Sequence, residues 1–160
     1  MAKNINNLTI LFDLDGTLID SLPDIAGTVN LLREQHGLKP RNFEEIRVHI
    51  GKGVENLIEG CFPERPANQT RLIEQYRAIY FDTVSMGGSP YPGVKDTLGA
   101  LRRVSGIILG VVTNKPSRVA DKALQYYLPG ISFESRVGSH ANVLGRIEPQ
   151  RHRERQHREE

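Results

Sequence analysis

The chain has 160 residues, 38% of them hydrophobic, with 21 basic and 19 acidic side chains and a net charge of +2, a size that holds one buried core, or a small core with an inserted segment. Five arginines and four glutamates fall within Arg146–Glu160, so the preceding body is nearly neutral, which argues against nucleic acid as a partner; no apolar run is long enough to span a bilayer. Cys61 is the only cysteine, which excludes an intrachain disulfide and a cysteine metal cluster and leaves a small apolar residue packed in a helix.

The first seven residues are too polar for a signal peptide, and a cytoplasmic protein is expected. Leu8-Thr9-Ile10-Leu11-Phe12 is an apolar run that ends at Asp13 and at the Asp15-Gly16 turn, the pattern of a buried parallel strand. In an open α/β sheet, ligands bind at the carboxyl end of such a strand. Ser21-Leu22-Pro23-Asp24 has the form of a helix start: a capping hydroxyl, a proline just inside and an acid at the third helical position. Leu22, Ile25, Ala26, Val29 and Leu32 continue at helical spacing until Gly37. A short helix is expected from Asn42, with Glu45 as its capping partner, to a stop at Gly51. Gly51-Lys52-Gly53 reads as a flexible loop, and a third helix runs through Val54, Leu57 and Ile58. After the breaks at Pro63 and Pro66, a longer helix is expected from about Gln69 to Ser85, burying Leu72, Ile73, Tyr76, Ile79, Tyr80 and Val84.

Gly87 to Gly93 then reads as a returning loop, followed by a helix from Val94 to about Arg103. Ile107 to Val112 is the next apolar strand, ending at Thr113-Asn114. Pro116 to Leu128 is an amphipathic helix through Val119, Ala123, Leu124 and Tyr127, and a last strand is expected from Ile131 to Val137. The predicted class is α/β: residues 1–19 and 88–137 form a parallel-sheet core, residues 20–87 an inserted helical cap, and residues 138–160 a disordered tail with nothing to bury.

Two aspartates separated by one residue at a strand end supply what phosphate monoester chemistry needs. Asp13 suits the nucleophile, and Asp15 the acid that protonates the leaving oxygen and later deprotonates water. Gly16 lets the backbone turn, and Thr17 is placed to orient the loop or bond a phosphate oxygen. Thr113 and Asn114, at the end of the second strand, offer a hydroxyl and amides for a phosphoryl group. In isolation, an Asp-Gly pair or a threonine after a strand is also an ordinary turn element. Lys52 is a candidate for pairing with a substrate carboxylate, or a solvated loop lysine. Lys115 follows Asn114 and points either to the phosphate or to solvent. The histidines have no ligand spacing on a shared helix and predict no transition-metal site.

The run Asp13-Leu14-Asp15-Gly16-Thr17-Leu18-Ile19-Asp20-Ser21, the Gly51-Lys52-Gly53 loop, Tyr91-Pro92-Gly93-Val94 and Val112-Thr113-Asn114-Lys115-Pro116 together resemble the phosphoglycolate phosphatase branch of the haloacid dehalogenase superfamily. That resemblance implies a Rossmann-like core with a mobile helical cap, and magnesium-dependent hydrolysis of a small phosphorylated metabolite such as 2-phosphoglycolate through an aspartyl phosphate. It also implies a metal held by the Asp13 carboxylate and the Asp15 main-chain carbonyl. Dehalogenases of the superfamily lack an acid at the position of Asp15, because a halide leaves without a proton. Sugar phosphomutases, a further alternative, differ just after the first motif.

The resemblance covers residues 8 to 137 and then fails. The family's third motif, a lysine usually followed closely by proline, and its fourth, a pair of acids after a strand, are not found beyond Val137. The last lysine is Lys122, and the acids after Glu134 are Glu148, Glu154, Glu159 and Glu160. Composition changes near Gly138, as translation in a wrong frame or a divergent terminus would produce. The expectation is therefore a core incomplete at its carboxyl end, either a weak enzyme or a catalytically incompetent binding fragment.

Overall fold

The computed structural model describes residues 8–84 and 87–139. In chain order the elements are β1 (Leu8–Phe12), β2 (Ile19–Asp20), α1 (Leu22–Gln35), α2 (Phe43–Arg47), α3 (Val54–Cys61), α4 (Gln69–Thr83), β3 (Ser89–Pro90), α5 (Val94–Arg102), β4 (Ile107–Pro116), α6 (Ser117–Tyr127) and β5 (Ser135–Ser139). The main sheet has the order β1-β4-β5 with both pairings parallel. Parallel neighbours need crossovers: α1 to α5 all lie between β1 and β4, and α6 lies between β4 and β5. Gly110 pairs with Leu11 in the sheet, and a Cβ there would stand 2.6 Å from Leu11 Cδ2, which the half-exposed leucine would have to turn aside.

Among the described residues β1 is an edge strand, with β4 on one side. Leu8 and Leu11 on β1 and Val112 on β4 are 46%, 48% and 44% exposed, so apolar strand surface lies open beside an unpaired edge. The burial expected of this strand is therefore not met: no residue of β1 is fully buried, because among the described residues only β4 pairs with it. The buried apolar residues form one cluster that runs from Leu109, Val111 and Leu124 of the sheet layer to Ile58, Leu72 and Tyr76 of the helices. Cys61 closes α3, fully buried, and burial pushes its thiol up to about 11. No helix is long and apolar enough to cross a membrane among the described residues.

Several local expectations need correcting. Ser21 occupies the N-cap position of α1 but makes no capping bond; Asp20 Oδ1 accepts the Leu22 N–H at 3.3 Å instead. The strand expected from Ile131 to Val137 begins only at Ser135 and continues through Ser139. β4 runs on to Pro116, beyond the expected end at Val112. Ser89 and Pro90, within the expected returning loop, pair with Asp20 and Ile19 as the β2–β3 ladder; two-residue pairings carry no periodicity to read. The Asn42–Glu45 capping box is present as expected, with bonds of 2.8 and 3.0 Å. Ser85 and residues 140–160, which carry the end of the expected fourth helix and most of the expected tail, lie outside the described residues.

The two chain crossings between the helices and the sheet layer are tied by one carboxylate. Asp24 is 3% exposed; its Oδ1 accepts the Gly87 and Gly88 N–H groups at 2.7 and 3.1 Å, and its Oδ2 accepts the Tyr127 hydroxyl at 2.6 Å. A Cβ on Gly88 would lie 2.8 Å from Asp20 O and from Tyr127 Oη, and 2.9 Å from Asp24 Oδ2. Gly88→Ala is therefore expected to destabilise the fold by about 1–3 kcal/mol through overpacking of this junction, read as a lower midpoint in thermal unfolding. An unchanged midpoint would show that the junction yields without cost.

A second buried polar group pins the helices to one another. Arg33 is 3% exposed on α1 and donates to Lys39 O, to Cys61 O and, at 2.9 Å, to Glu64 Oε1. The hydrogen bond from Arg33 holds the Glu64 carboxyl down at about 2. A carboxyl lowered in the folded state stabilises above its unfolded value near 4.5, and that contribution is lost as pH falls toward 2. The Glu64 side chain is 40% exposed, so solvent screening limits the effect to about 1 kcal/mol. Glu64→Gln should lower stability by that amount at pH 7 and leave it unchanged near pH 2, as urea unfolding at the two pH values would reveal.

Candidate active site

The register of the sheet brings two strand ends together. Phe12 of β1 stands opposite Val111 of β4, so Asp13 and the turn after it lie beside the segment Val112 to Lys115. The turn is closed by main-chain bonds: Gly16 N–H to Ile19 O at 2.9 Å, and Leu18 N–H and Ile19 N–H to Leu14 O at 3.0 Å. Gly16 has φ +78°, a left-handed conformation that glycine adopts without a Cβ penalty. Leu14 is fully buried and anchors the turn between the two aspartates. Asp13 is exposed, with Oδ1 accepting the Leu14 N–H at 2.7 Å. Gly16 and Thr17 are exposed on the same turn.

Asp15 turns inward. It lines a cavity of about 80 Å³ between the carboxyl ends of the strands and the helices, together with Asn114, Lys115, Gly51, Tyr76 and Tyr80. The Lys115 ammonium donates to Asp15 Oδ1 at 2.7 Å and to the Tyr80 hydroxyl, and lies 4.7 Å from the Tyr80 ring centroid. Its side chain is 2% exposed, against 17% for that of Asp15. Burial, followed by the charge of Asp15, pushes the Tyr80 and Tyr76 hydroxyls well above the ordinary phenol range, so Tyr80 meets the ammonium as a neutral acceptor. The Asn114 amide donates to Gly51 O at 3.0 Å, joining the strand end to the glycine loop.

The expected site residues do not all converge. Asp15 and Asn114 share the cavity, and Asp13 is adjacent on the chain. Thr113 is buried, its Oγ1 accepts the Lys115 N–H at 3.2 Å, and it lines a separate space against Ser117 and Arg136. Lys52 is exposed, and Gly51 and Gly53 on either side of it form the cavity wall instead. His49 and Arg77 also line the cavity. The sequence left Lys115 undecided because the strand was ended at Val112. Carrying the alternation three residues further puts Val111, Thr113 and Lys115 on one face, all three buried in β4. That periodicity is the signal that finds the lysine. Tyr80 was expected only as a core residue of its helix.

Chemically, the arrangement places a carboxylate paired with a buried ammonium, and a side-chain amide, around one small volume, with the exposed carboxylate of Asp13 beside it on the chain. Among the described residues no cluster of three or more His, Cys, Asp or Glu side chains forms a cation cage.

Comparison with known proteins agrees with this geometry. The chain is 31% identical over 141 residues to a phosphoglycolate phosphatase of Caulobacter vibrioides, a match covering 85% of this chain and 59% of that protein. It is 30% identical to an N-acetylmuramic acid 6-phosphate phosphatase of Pseudomonas aeruginosa, covering 84% of this chain and again 59% of the relative. A crystal structure described as a predicted phosphoglycolate phosphatase from Haemophilus somnus 129pt superposes with a TM-score of 0.73 at 29% identity, covering 86% of this chain and 64% of that one. The chain thus spans less than two thirds of the length of each of these proteins. The model of the haloacid dehalogenase-like hydrolases matches residues 10–140, and with the DxD turn, the parallel sheet and the inserted helices in place, the chain belongs to that family.

Proposed function

We propose that this chain carries the phosphoryl-transfer site of a magnesium-dependent cytoplasmic phosphatase for a small phosphate monoester, with 2-phosphoglycolate as the foremost substrate. The observation that supports the reading is the meeting of Asp15 with Asn114 and Lys115 around one cavity, Lys115 standing 2.7 Å from Asp15, with Asp13 two residues before Asp15, just past the end of β1. Nucleophile, acid and cation then share one centre. Residues 20–87 act as the cap over it.

Asp13 attacks phosphorus and forms an acyl phosphate while the phosphorus–oxygen bond to the leaving group breaks. Asp15, as the acid, gives its proton to the leaving alkoxide, so that 2-phosphoglycolate yields glycolate. Asp15 then takes a proton from water as the water oxygen attacks phosphorus, releasing phosphate and restoring Asp13. Asn114 and Lys115 hold the phosphoryl oxygens, with Thr113 fixing the Lys115 main chain and Gly16 and Thr17 shaping the turn. Lys52 is kept as a contact for the substrate's distal end from the loop above.

The donors at hand fit magnesium by type: the Asp13 carboxylate and the Asp15 main-chain carbonyl are hard oxygens, and Mg²⁺ is commonly held by one or two carboxylates with water in its remaining positions. Bound there, the ion supplies charge neutralisation at the transferring phosphoryl group. The pair of acids that forms the family's fourth motif is not found beyond Val137, so the ion would keep extra waters and be held weakly.

The test is phosphate release with and without magnesium from 2-phosphoglycolate, N-acetylmuramic acid 6-phosphate and glucose 1-phosphate. Magnesium-dependent release from 2-phosphoglycolate supports the reading. Isomerisation of the sugar phosphate without release would replace it with a mutase. A second reading follows from the third and fourth motifs not being found beyond Val137: a chain that binds the phosphate ester without turning it over. Binding of 2-phosphoglycolate with no phosphate release would establish that one.

A further inference from the structure

Lys115 joins residues that are far apart in the chain. Asp15 lies 100 positions before it, in the turn after β1, and Tyr80 lies 35 positions before it, on α4. An ammonium has three donors; Asp15 and Tyr80 take two, which leaves one for a ligand oxygen in the cavity that all three residues line. A free lysine side chain has many rotamers, and ordering it is costly. Here that ordering precedes any ligand, because the Tyr80 hydroxyl accepts from Nζ and the Tyr80 ring lies 4.7 Å from it. The same stretch of α4 is tied to α6 by Lys122, which donates to Phe81 O, and by Arg118, whose guanidinium stands 5.1 Å from the Phe81 ring centroid. Asn114 reaches across to Gly51 O.

We propose that Tyr80 is the positioning residue for Lys115, so that the site's cation is set for a phosphoryl group only while α4 is packed against the end of β4. The inference rests on the reading of Lys115 as the cation that meets the phosphoryl oxygens. A phosphate arriving in the cavity takes the remaining donor of an ammonium whose direction is already fixed, and closure of the helices and readiness of the cation become one event.

The experiment is a double-mutant cycle on the full chain, with the affinity for inorganic phosphate measured by calorimetry in magnesium. Tyr80→Phe removes only the hydroxyl and is expected to weaken phosphate binding about tenfold with little change in the unfolding midpoint. In a Lys115→Met background the same change should have no further effect, since its route through Lys115 is gone. Should the methionine variant not fold, the ¹⁵Nζ resonance of Lys115 provides the readout: phosphate should shift it in the wild type and shift it much less in Tyr80→Phe. Wild-type affinity in Tyr80→Phe, an equal loss in both backgrounds, or an unaltered Nζ response would overturn the inference. Failure of the wild-type chain to bind phosphate would instead defeat the underlying reading, and this inference with it.

Discussion

Replacing Asp13 with asparagine should abolish magnesium-dependent phosphate release while leaving the fold intact. The residue is exposed, and its recorded hydrogen bond is Oδ1 to the adjacent Leu14 N–H, a bond that an asparagine carbonyl accepts equally well. Little stability depends on its charge, and the effect on unfolding should stay within about 0.5 kcal/mol. Chemistry is another matter: an amide is a poor nucleophile toward phosphorus, and loss of a covalent nucleophile removes the pathway rather than one stabilising contact, a cost of about a thousandfold or more in kcat. Beryllofluoride, which mimics an aspartyl phosphate, should likewise no longer protect the variant from thermal unfolding. Wild-type turnover in Asp13→Asn would remove Asp13 from the role of nucleophile.

Lys115→Met should produce the second large effect, and of a different kind. It removes a cation from a buried position 2.7 Å from Asp15 and leaves that carboxylate without its partner in a confined space. Both stability and catalysis should suffer. Loss of one preorganised donor to a transferring phosphoryl group costs about a hundredfold in kcat/KM, and the stranded carboxylate about 1–3 kcal/mol in unfolding. Lys115→Arg keeps the charge and should recover most of the stability, with less of the rate, because a planar fork does not reproduce a point ammonium between Asp15 and Tyr80. Equal kcat/KM for wild type and Lys115→Met would show that the pair is structural only.

The parts of the fold that could be read in the sequence are those with a long apolar period. The strand before Asp13, the helices through Val29, Leu72 and Ala123, and the Asn42–Glu45 capping box lie where spacing put them. The errors lie where tertiary contacts override local pattern. Asp24, read as an ordinary acid at a helix start, is buried with the Gly87 and Gly88 amides and the Tyr127 hydroxyl, partners no local rule connects. Ending β4 at Val112 hid the alternation that carries Lys115 inward. The two-residue β2–β3 pair lacks enough residues for any period.

The candidate site divides along the same line. Asp15 and Asn114 reach one cavity because both follow strands whose register is set by apolar residues that were visible in the chain. Thr113 alternates onto the buried face with Lys115, opposite Asn114, and its hydroxyl oxygen accepts the Lys115 main-chain N–H, a local choice that a threonine makes as readily as binding a ligand. Lys52 stays in solvent at the loop tip while its neighbouring glycines approach the site. Tyr80 sits on the buried stripe of α4, and the helical period that identifies it as core says nothing of its hydroxyl.

The central claim, that Asp13 is the nucleophile of a phosphoryl-transfer site, is tested most directly by finding where phosphate is held covalently. The wild-type chain is incubated with 2-phosphoglycolate and magnesium, quenched, reduced with borohydride to convert any acyl phosphate to the alcohol, and digested for mass spectrometry. Trapping works even when hydrolysis is slow, so a weak magnesium site does not hide the first step. The account predicts reduction at Asp13 alone, dependent on substrate and magnesium. Reduction at another carboxylate, or turnover of 2-phosphoglycolate with no modified aspartate under conditions that trap a known acyl phosphate, would contradict it.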